Sequence, residues 1–306
     1  MTNDNSETPT SDRGSQHGPR HQNRHENKQE RSFSRNKPYS GAPKKYGKPK
    51  DAKSSGPRPQ ANIWGTHAVT AAWLNPDRVI KKLYVTETMR DGFAAVLKEG
   101  RNLNRPEPTV IDKRQLDNAL KKAVHQGIAI DAAPLDEVFV SDIIAKLSTR
   151  KSGLILMLDH VTDPHNVGAI LRSACAFGAD GVIMQRKFSP ELTGVLAKTA
   201  TGAVEHMPVA FEINLSDTLD TLAAAGFYAI GLDERGPQTL GEAVAAYKGE
   251  EHLAKTVLVL GAEGSGLRPK VRDHCSALAR LPTGGPIESL NVSNAAAIAL
   301  YALSER

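Results

Sequence analysis

The chain has 306 residues, 40% of them hydrophobic, which is enough for two domains of ordinary size. Its formal net charge of +5 is unevenly placed: residues 1–60 hold 13 Lys/Arg against 6 Asp/Glu, a net +7, which leaves a net −2 for the other 246 residues. No run of 18 apolar residues is present, which argues against a membrane-spanning helix, and two cysteines without ligand spacing argue against a disulfide scaffold or a zinc site.

Residues 1–60 are rich in Arg, Lys, His, Asn, Ser, Pro and Gly, and such a segment cannot bury enough apolar surface to offset its ordering entropy. A disordered basic tail is expected. Its Arg31-Ser-Phe-Ser-Arg35 and Lys44-Lys-Tyr-Gly47 pieces interleave cations with single aromatics, a pattern suited to phosphate neutralisation and base stacking. A solubilising extension without a partner would have the same composition. The missing signal core, the early acids Asp4, Glu7 and Asp12, and the cysteines Cys175 and Cys275 fit a cytoplasmic setting.

From 61 to 134 the pattern is a small mixed α/β domain. Thr66 caps a helix that runs to Leu74 and is ended by Asn75-Pro76, and Val79 to Thr86 alternates as a strand. A helix from Thr88 to about Lys98, a short strand from Pro106 to Ile111, and a helix from Asp112 as N-cap to about Ala123 come next. His125 to Ile130 reads as a turn and strand. Residues 135–152, a helix with a basic end, read as a linker.

Residues 153–306 change character. Gly153–Leu158, Gly181–Met184, Phe227–Gly231 and Thr256–Leu260 are nearly continuous apolar runs, as expected of strands buried on both faces. Helical patterns cover 167–177, 190–200, 217–225, 240–247, 268–276 and 292–303, and a short strand covers Ala277–Leu281. Alternating strands and helices predict a parallel sheet with helices on both faces and a ligand beyond the carboxyl ends of the strands.

Three polar loops follow such strand ends: Asp159-His-Val-Thr-Asp-Pro-His-Asn166, Gly261-Ala-Glu-Gly-Ser-Gly266 and Thr283-Gly-Gly-Pro-Ile-Glu-Ser-Leu-Asn291. In the first, Asp163-Pro164 is a turn pair and Asn166 sits where a helix N-cap belongs, so much of its polarity is structural. Asp159 and Asp163 with His160 and His165 can also be read as a divalent-metal site for hydrolysis. Arg172 stands in a helix of small and apolar residues, away from the stripe Ile170, Ala174 and Phe177, and calls for an anionic partner. The second loop has glycines in neither the dinucleotide-binding nor the P-loop order; Glu263 is its lone charge. The third leads, through Asn291 or Ser293 as N-cap, into an Ala-rich helix.

Together, in order and spacing, the three loops and their flanks resemble the three motifs of the SpoU family of RNA ribose 2′-O-methyltransferases, in the SPOUT class. Gly65-Thr-His-Ala-Val69 and His125-Gln-Gly-Ile-Ala129 are similar to the substrate-binding domain of that family's 23S ribosomal RNA guanosine branch. The resemblance implies an S-adenosylmethionine-dependent homodimer whose C-terminal domain ties a trefoil knot and whose small domain binds RNA. Gly261, Leu281 and Leu290 match cofactor-pocket positions; Asn166, Arg172, Glu263, Ser289 and Asn291 match those around the reacting ribose. A guanidinium keeps its proton to a pKa above about 12, so Arg172 is expected to orient the ribose and phosphate rather than act as a base. Thr283 and Pro286 depart from the usual residues at the pocket's rim. The expected substrate is large-subunit (23S) ribosomal RNA, with no metal and no membrane; transfer RNA methylation and a non-catalytic ribosome-assembly role are the alternatives.

Overall fold

A computed structural model describes residues 59–248, 254–286 and 289–304; the expected tail, but for its last two residues, lies outside them, as does Glu288. The small domain contains β1 (Ile63–Trp64), α1 (Thr66–Leu74), β2 (Ile80–Val85), α2 (Glu87–Glu99), β3 (Pro108–Val110), α3 (Lys113–Ala119) and β4 (Ile128–Ala132). Its sheet runs β1-β4-β2-β3, with β4 antiparallel to both neighbours and β2 parallel to β3.

Two local details differ from expectation. Gly65, at φ 91°, holds the N-cap position of α1 in place of Thr66, and the Gln126 side chain accepts from the Thr66 N–H at 3.0 Å. The first-turn donor is thus satisfied from across the domain. Asp112 does cap α3, in a capping box with Gln115, but the helix stops at Ala119 because Lys121 and Lys122 turn left-handed.

The larger sheet is built from β5 (Ser152–Leu158), β6 (Gly181–Gln185), β7 (Val209–Glu212), β8 (Tyr228–Leu232), β9 (Gln238–Thr239), β10 (Ala254–Leu260) and β11 (Ala277–Arg280). Its order is β7-β6-β5-β10-β8-β11-β9, and every pairing is parallel. The helices are α4 (Val140–Ser148), α5 (Pro164–Ala176), α6 (Gly194–Thr199), α7 (Leu215–Ala224), α8 (Leu240–Lys248), α9 (Pro269–Asp273) and α10 (Val292–Ser304). α4 lies in the stretch expected to be a linker, yet it seals one sheet face. Leu147 and Ile143 fill the space that side chains on Gly153 and Gly181 would occupy.

One core cluster takes Val69 and Trp73 of the small domain together with Leu196 and Val204 of the larger one. A buried ion pair crosses the same junction. Arg78 grips Glu205 through Nη2–Oε1 at 2.6 Å and Nε–Oε2 at 3.0 Å, and Asn75 adds a bond at 2.9 Å. The described residues accordingly form one compact unit.

β11 lies between β8 and β9, although only residues 233–237 join those two strands. That loop crosses β11 at close range: Asp233 N–H donates to Ala279 O at 2.9 Å, and Arg280 donates to Gly236 O at 2.7 Å. A Cβ on Gly236 would sit 2.6 Å from the Ala279 carbonyl carbon, so the crossing needs glycine.

Candidate active site

The carboxyl ends of β5, β10 and β11 bring the three polar loops to one edge. Asp163, not Asn166, caps α5: its carboxylate accepts from the His165 N–H at 3.0 Å, with Pro164 in the first turn. Two residues were competing for one cap, and the proline's fixed φ decided it. Asn166 is thereby left inside the first turn, buried, with its side chain available.

Asn291 joins the loops. Its Nδ2 donates to Asn166 Oδ1 at 3.0 Å and to Glu263 Oε1, and the Val292 N–H donates to the same Glu263 oxygen at 3.4 Å. Its Oδ1 accepts from the backbone of Ser293 at 2.9 Å, which caps α10. One amide therefore anchors a helix and fixes a carboxylate. All of the Glu263 side chain's hydrogen bonds run through Oε1; Oε2 has no partner among the described residues.

Asp159 ties the first loop to the second. Fully buried, its carboxylate accepts from Arg268 N at 2.8 Å and Arg268 Nε at 2.6 Å. With Asp163 engaged as a cap, both acids of the alternative metal reading are used structurally, and the described residues contain no group of three His, Cys, Asp or Glu placed to hold a metal. Burial pushes the neighbouring Cys275 thiol up to about 12, and the charge of Asp159 adds to it, so this cysteine stays protonated.

Beside the Asn291 hub opens a cleft of about 440 Å³. Gly261, Leu281 and Leu290, expected at a cofactor, line it, and so do Glu263, Ser289 and Asn291. Gly261 makes the wall tight, since a Cβ there would meet the backbone of Gly266 at 2.2 Å. Arg172 is not on this wall: it is exposed on α5, and its side chain makes no hydrogen bond or ion pair among the described residues. The motif reading also missed Asp233, Glu234 and Arg235, which line the cleft from the end of β8. Their signal was the polar run after the strand Phe227–Gly231, the same signal that flagged the other loops.

The sequence profile of the SpoU rRNA Methylase family matches residues 153–301, and that of RNA 2′-O ribose methyltransferase substrate binding matches 62–138. The chain is 36% identical over 247 residues to the 23S rRNA (guanosine-2′-O-)-methyltransferase RlmB of Pseudomonas syringae, covering 80% of this chain and 95% of that protein. With RlmB of Pseudomonas aeruginosa it shares 37% over 241 residues, 78% of this chain and 94% of the other. An AdoMet-bound rRNA methyltransferase structure from Sinorhizobium meliloti has the same fold, with a TM-score of 0.63 at 22% identity over 80% of this chain and 87% of that one. The SpoU methyltransferase AviRb of Streptomyces viridochromogenes, solved with AdoMet, gives 0.61 at 22% identity over 80% and 89%. The extent of the match to these relatives, together with the three motif loops joined through Asn291 at the cleft's edge, establishes that this chain belongs to the SpoU rRNA methylase family.

Proposed function

We propose that the chain transfers the methyl group of S-adenosylmethionine to the ribose 2′-hydroxyl of a guanosine in large-subunit (23S) ribosomal RNA. The Asn166–Asn291–Glu263 hub at the cleft's edge carries this reading. The cleft suits the cofactor. Its volume is that of a small-molecule site, its walls combine glycine backbone with Leu281 and Leu290, and its three carboxylates, Asp233, Glu234 and Glu263, outnumber its one arginine, Arg235, which favours a cationic ligand over a phosphate. When bound, the cofactor supplies an electrophilic methyl on a sulfonium. Glu263 then has one oxygen held by Asn291 and Val292, and its Oε2 is available to accept the hydrogen bond of a ribose hydroxyl and draw off its proton. Ser289 and Asn291 position the sugar.

Arg172 stands off the cleft, so in one copy it does not touch the ribose. Two exposed apolar residues of α10, Ile298 and Tyr301, the latter packed edge-on against Phe177 at the end of α5, favour a homodimer built on α5 and α10. In that dimer Arg172 orients RNA at the partner's site. The crossing of residues 233–237 over β11 supports a trefoil knot; pulling the chain from both ends would leave it short of its full contour length if it is knotted.

Radiolabelled methyl transfer to unmodified 23S ribosomal RNA and to transfer RNA tests the function. Label on a 23S guanosine is expected; label only on transfer RNA supports the alternative, and label on neither rejects the enzyme reading. Arg172→Lys keeps the charge without the fork and is expected to lose most turnover. Near-normal turnover would refute an orienting role. The relatives' activity and the small domain favour ribosomal RNA as substrate, and no helix among the described residues is long and apolar enough to cross a membrane.

A further inference from the structure

The loop between β6 and α6 holds an aromatic residue that the core does not use. Phe188 is 63% exposed. A single exposed apolar side chain is ordinary on a protein surface; three observations set this one apart. Its backbone is left-handed at φ 72°, a conformation that costs a bulky residue about 1–2 kcal/mol and persists where the surroundings impose it. Its ring meets the His160 ring at 6.0 Å between centroids, tilted by 48°, and His160 is itself left-handed at φ 60° within the first polar loop. The Lys187 ammonium stands over the ring, 5.2 Å from its centroid. A solvent-exposed aromatic ring thus sits on a strained backbone with a histidine ring against it and a cation over it.

The position is as telling as the composition. Phe188 follows the carboxyl end of β6 and His160 that of β5, and β10, which ends at the Glu263 loop, is the next strand. β6 is two strand spacings from β10, roughly 10 Å, which is the reach of a nucleotide next to the one in the cleft. At its far end the same loop meets the small domain. The Gly194 N–H donates to Asn62 O at 2.6 Å, and the Trp64 ring covers the Gly194 backbone. The loop therefore runs from the sheet edge that carries the polar loops to the small domain.

Resting on the proposed RNA substrate, we infer that Phe188, with His160 packed against it and Lys187 over its ring, is a stacking platform for an unpaired nucleobase flanking the methylated nucleotide; the incoming base takes the place of the Lys187 ammonium, which turns to that nucleotide's phosphate. Every base has a π-face, so the platform positions RNA without reading its sequence. It explains why a bulky residue holds a strained backbone in full view of solvent.

The test uses the full chain, a single-stranded oligoribonucleotide carrying 2-aminopurine, and unmodified 23S ribosomal RNA. Stacking quenches 2-aminopurine in the wild type. Phe188→Ala is expected to abolish the quench, weaken RNA affinity roughly tenfold, and raise KM for RNA while kcat and S-adenosylmethionine affinity change less than about twofold. Phe188→Trp restores both quench and affinity; Phe188→Leu, apolar and of similar bulk but without a π-face, restores neither. Equal behaviour of Phe188→Leu and wild type, unaltered RNA binding in Phe188→Ala, or no RNA binding by the wild type overturns the platform. So does a Phe188→Ala variant that changes only its sedimentation, which would make the residue a contact between protein copies. A wild type that binds and quenches RNA but transfers no methyl group rejects the proposed activity and leaves the platform standing.

Discussion

Asn291 performs two jobs that can be separated. Its Oδ1 caps α10, and its Nδ2 holds Asn166 and Glu263. Asp caps a helix as well as Asn does, yet a carboxylate cannot donate and would face Glu263 with like charge. Asn291→Asp is therefore expected to keep the helix cap while methyl transfer falls about hundredfold, the cost of misplacing a reacting group. Asn291→Ala loses the cap too, about 1 kcal/mol, and should also melt a few degrees lower. Equal activity in Asn291→Asp and wild type would show that the hub is only structural. The motif positions named Asn166, Glu263 and Asn291 as neighbours, but their joining through one amide was not legible. A hydrogen bond between residues 125 positions apart exists only once α5 and α10 are packed. Arg172 shows the reverse: its residue type demands an anion, and its place on an exposed helix face denies it one within the copy.

The elements that were hardest to foresee are those whose reason is a neighbour rather than a pattern. The four long apolar runs became β5, β6, β8 and β10, because burial on both faces writes itself into composition. β7 and β9, with four and two residues, are too short to show a period. β9 exists because β11 lies beside it, with Gln238 opposite Ala279. The glycine that allows this arrangement is Gly236. Gly236→Ala forces a methyl group against the Ala279 backbone and is expected to cost about 1–3 kcal/mol, read as a lower denaturant midpoint at an unchanged slope. An unaltered midpoint would mean that the loop has room to lift away from β11.

The two domains are bound more firmly than a linker reading suggests. Arg78 and Glu205 are buried, doubly bonded, and set between the domains, while Arg105 donates to the carbonyls of Trp73, Asn75 and Arg78. The Arg105 guanidinium is thus held by backbone carbonyls of its own domain. Removing one partner of such a buried pair costs about 3–5 kcal/mol because the other charge is left stranded. Glu205→Ala is expected to lower the melting temperature by about 10 °C and to split one calorimetric transition into two. A single transition at the wild-type temperature would show that the domains do not depend on this pair.

Periodicity and composition settle what depends on neighbours in the chain or on the average environment: which runs are buried, where helices fall, that the larger sheet is parallel, and that three polar loops share its carboxyl edge. The family follows from the spacing of those loops, because chemistry at one edge constrains residues that lie far apart in sequence. Choices between equal local candidates required the folded chain: Asp163 over Asn166 as cap, Glu205 as partner of Arg78, β11 between β8 and β9. Each rests on a contact across many residues, where competing local preferences differ by about 1 kcal/mol or less and packing has the larger say.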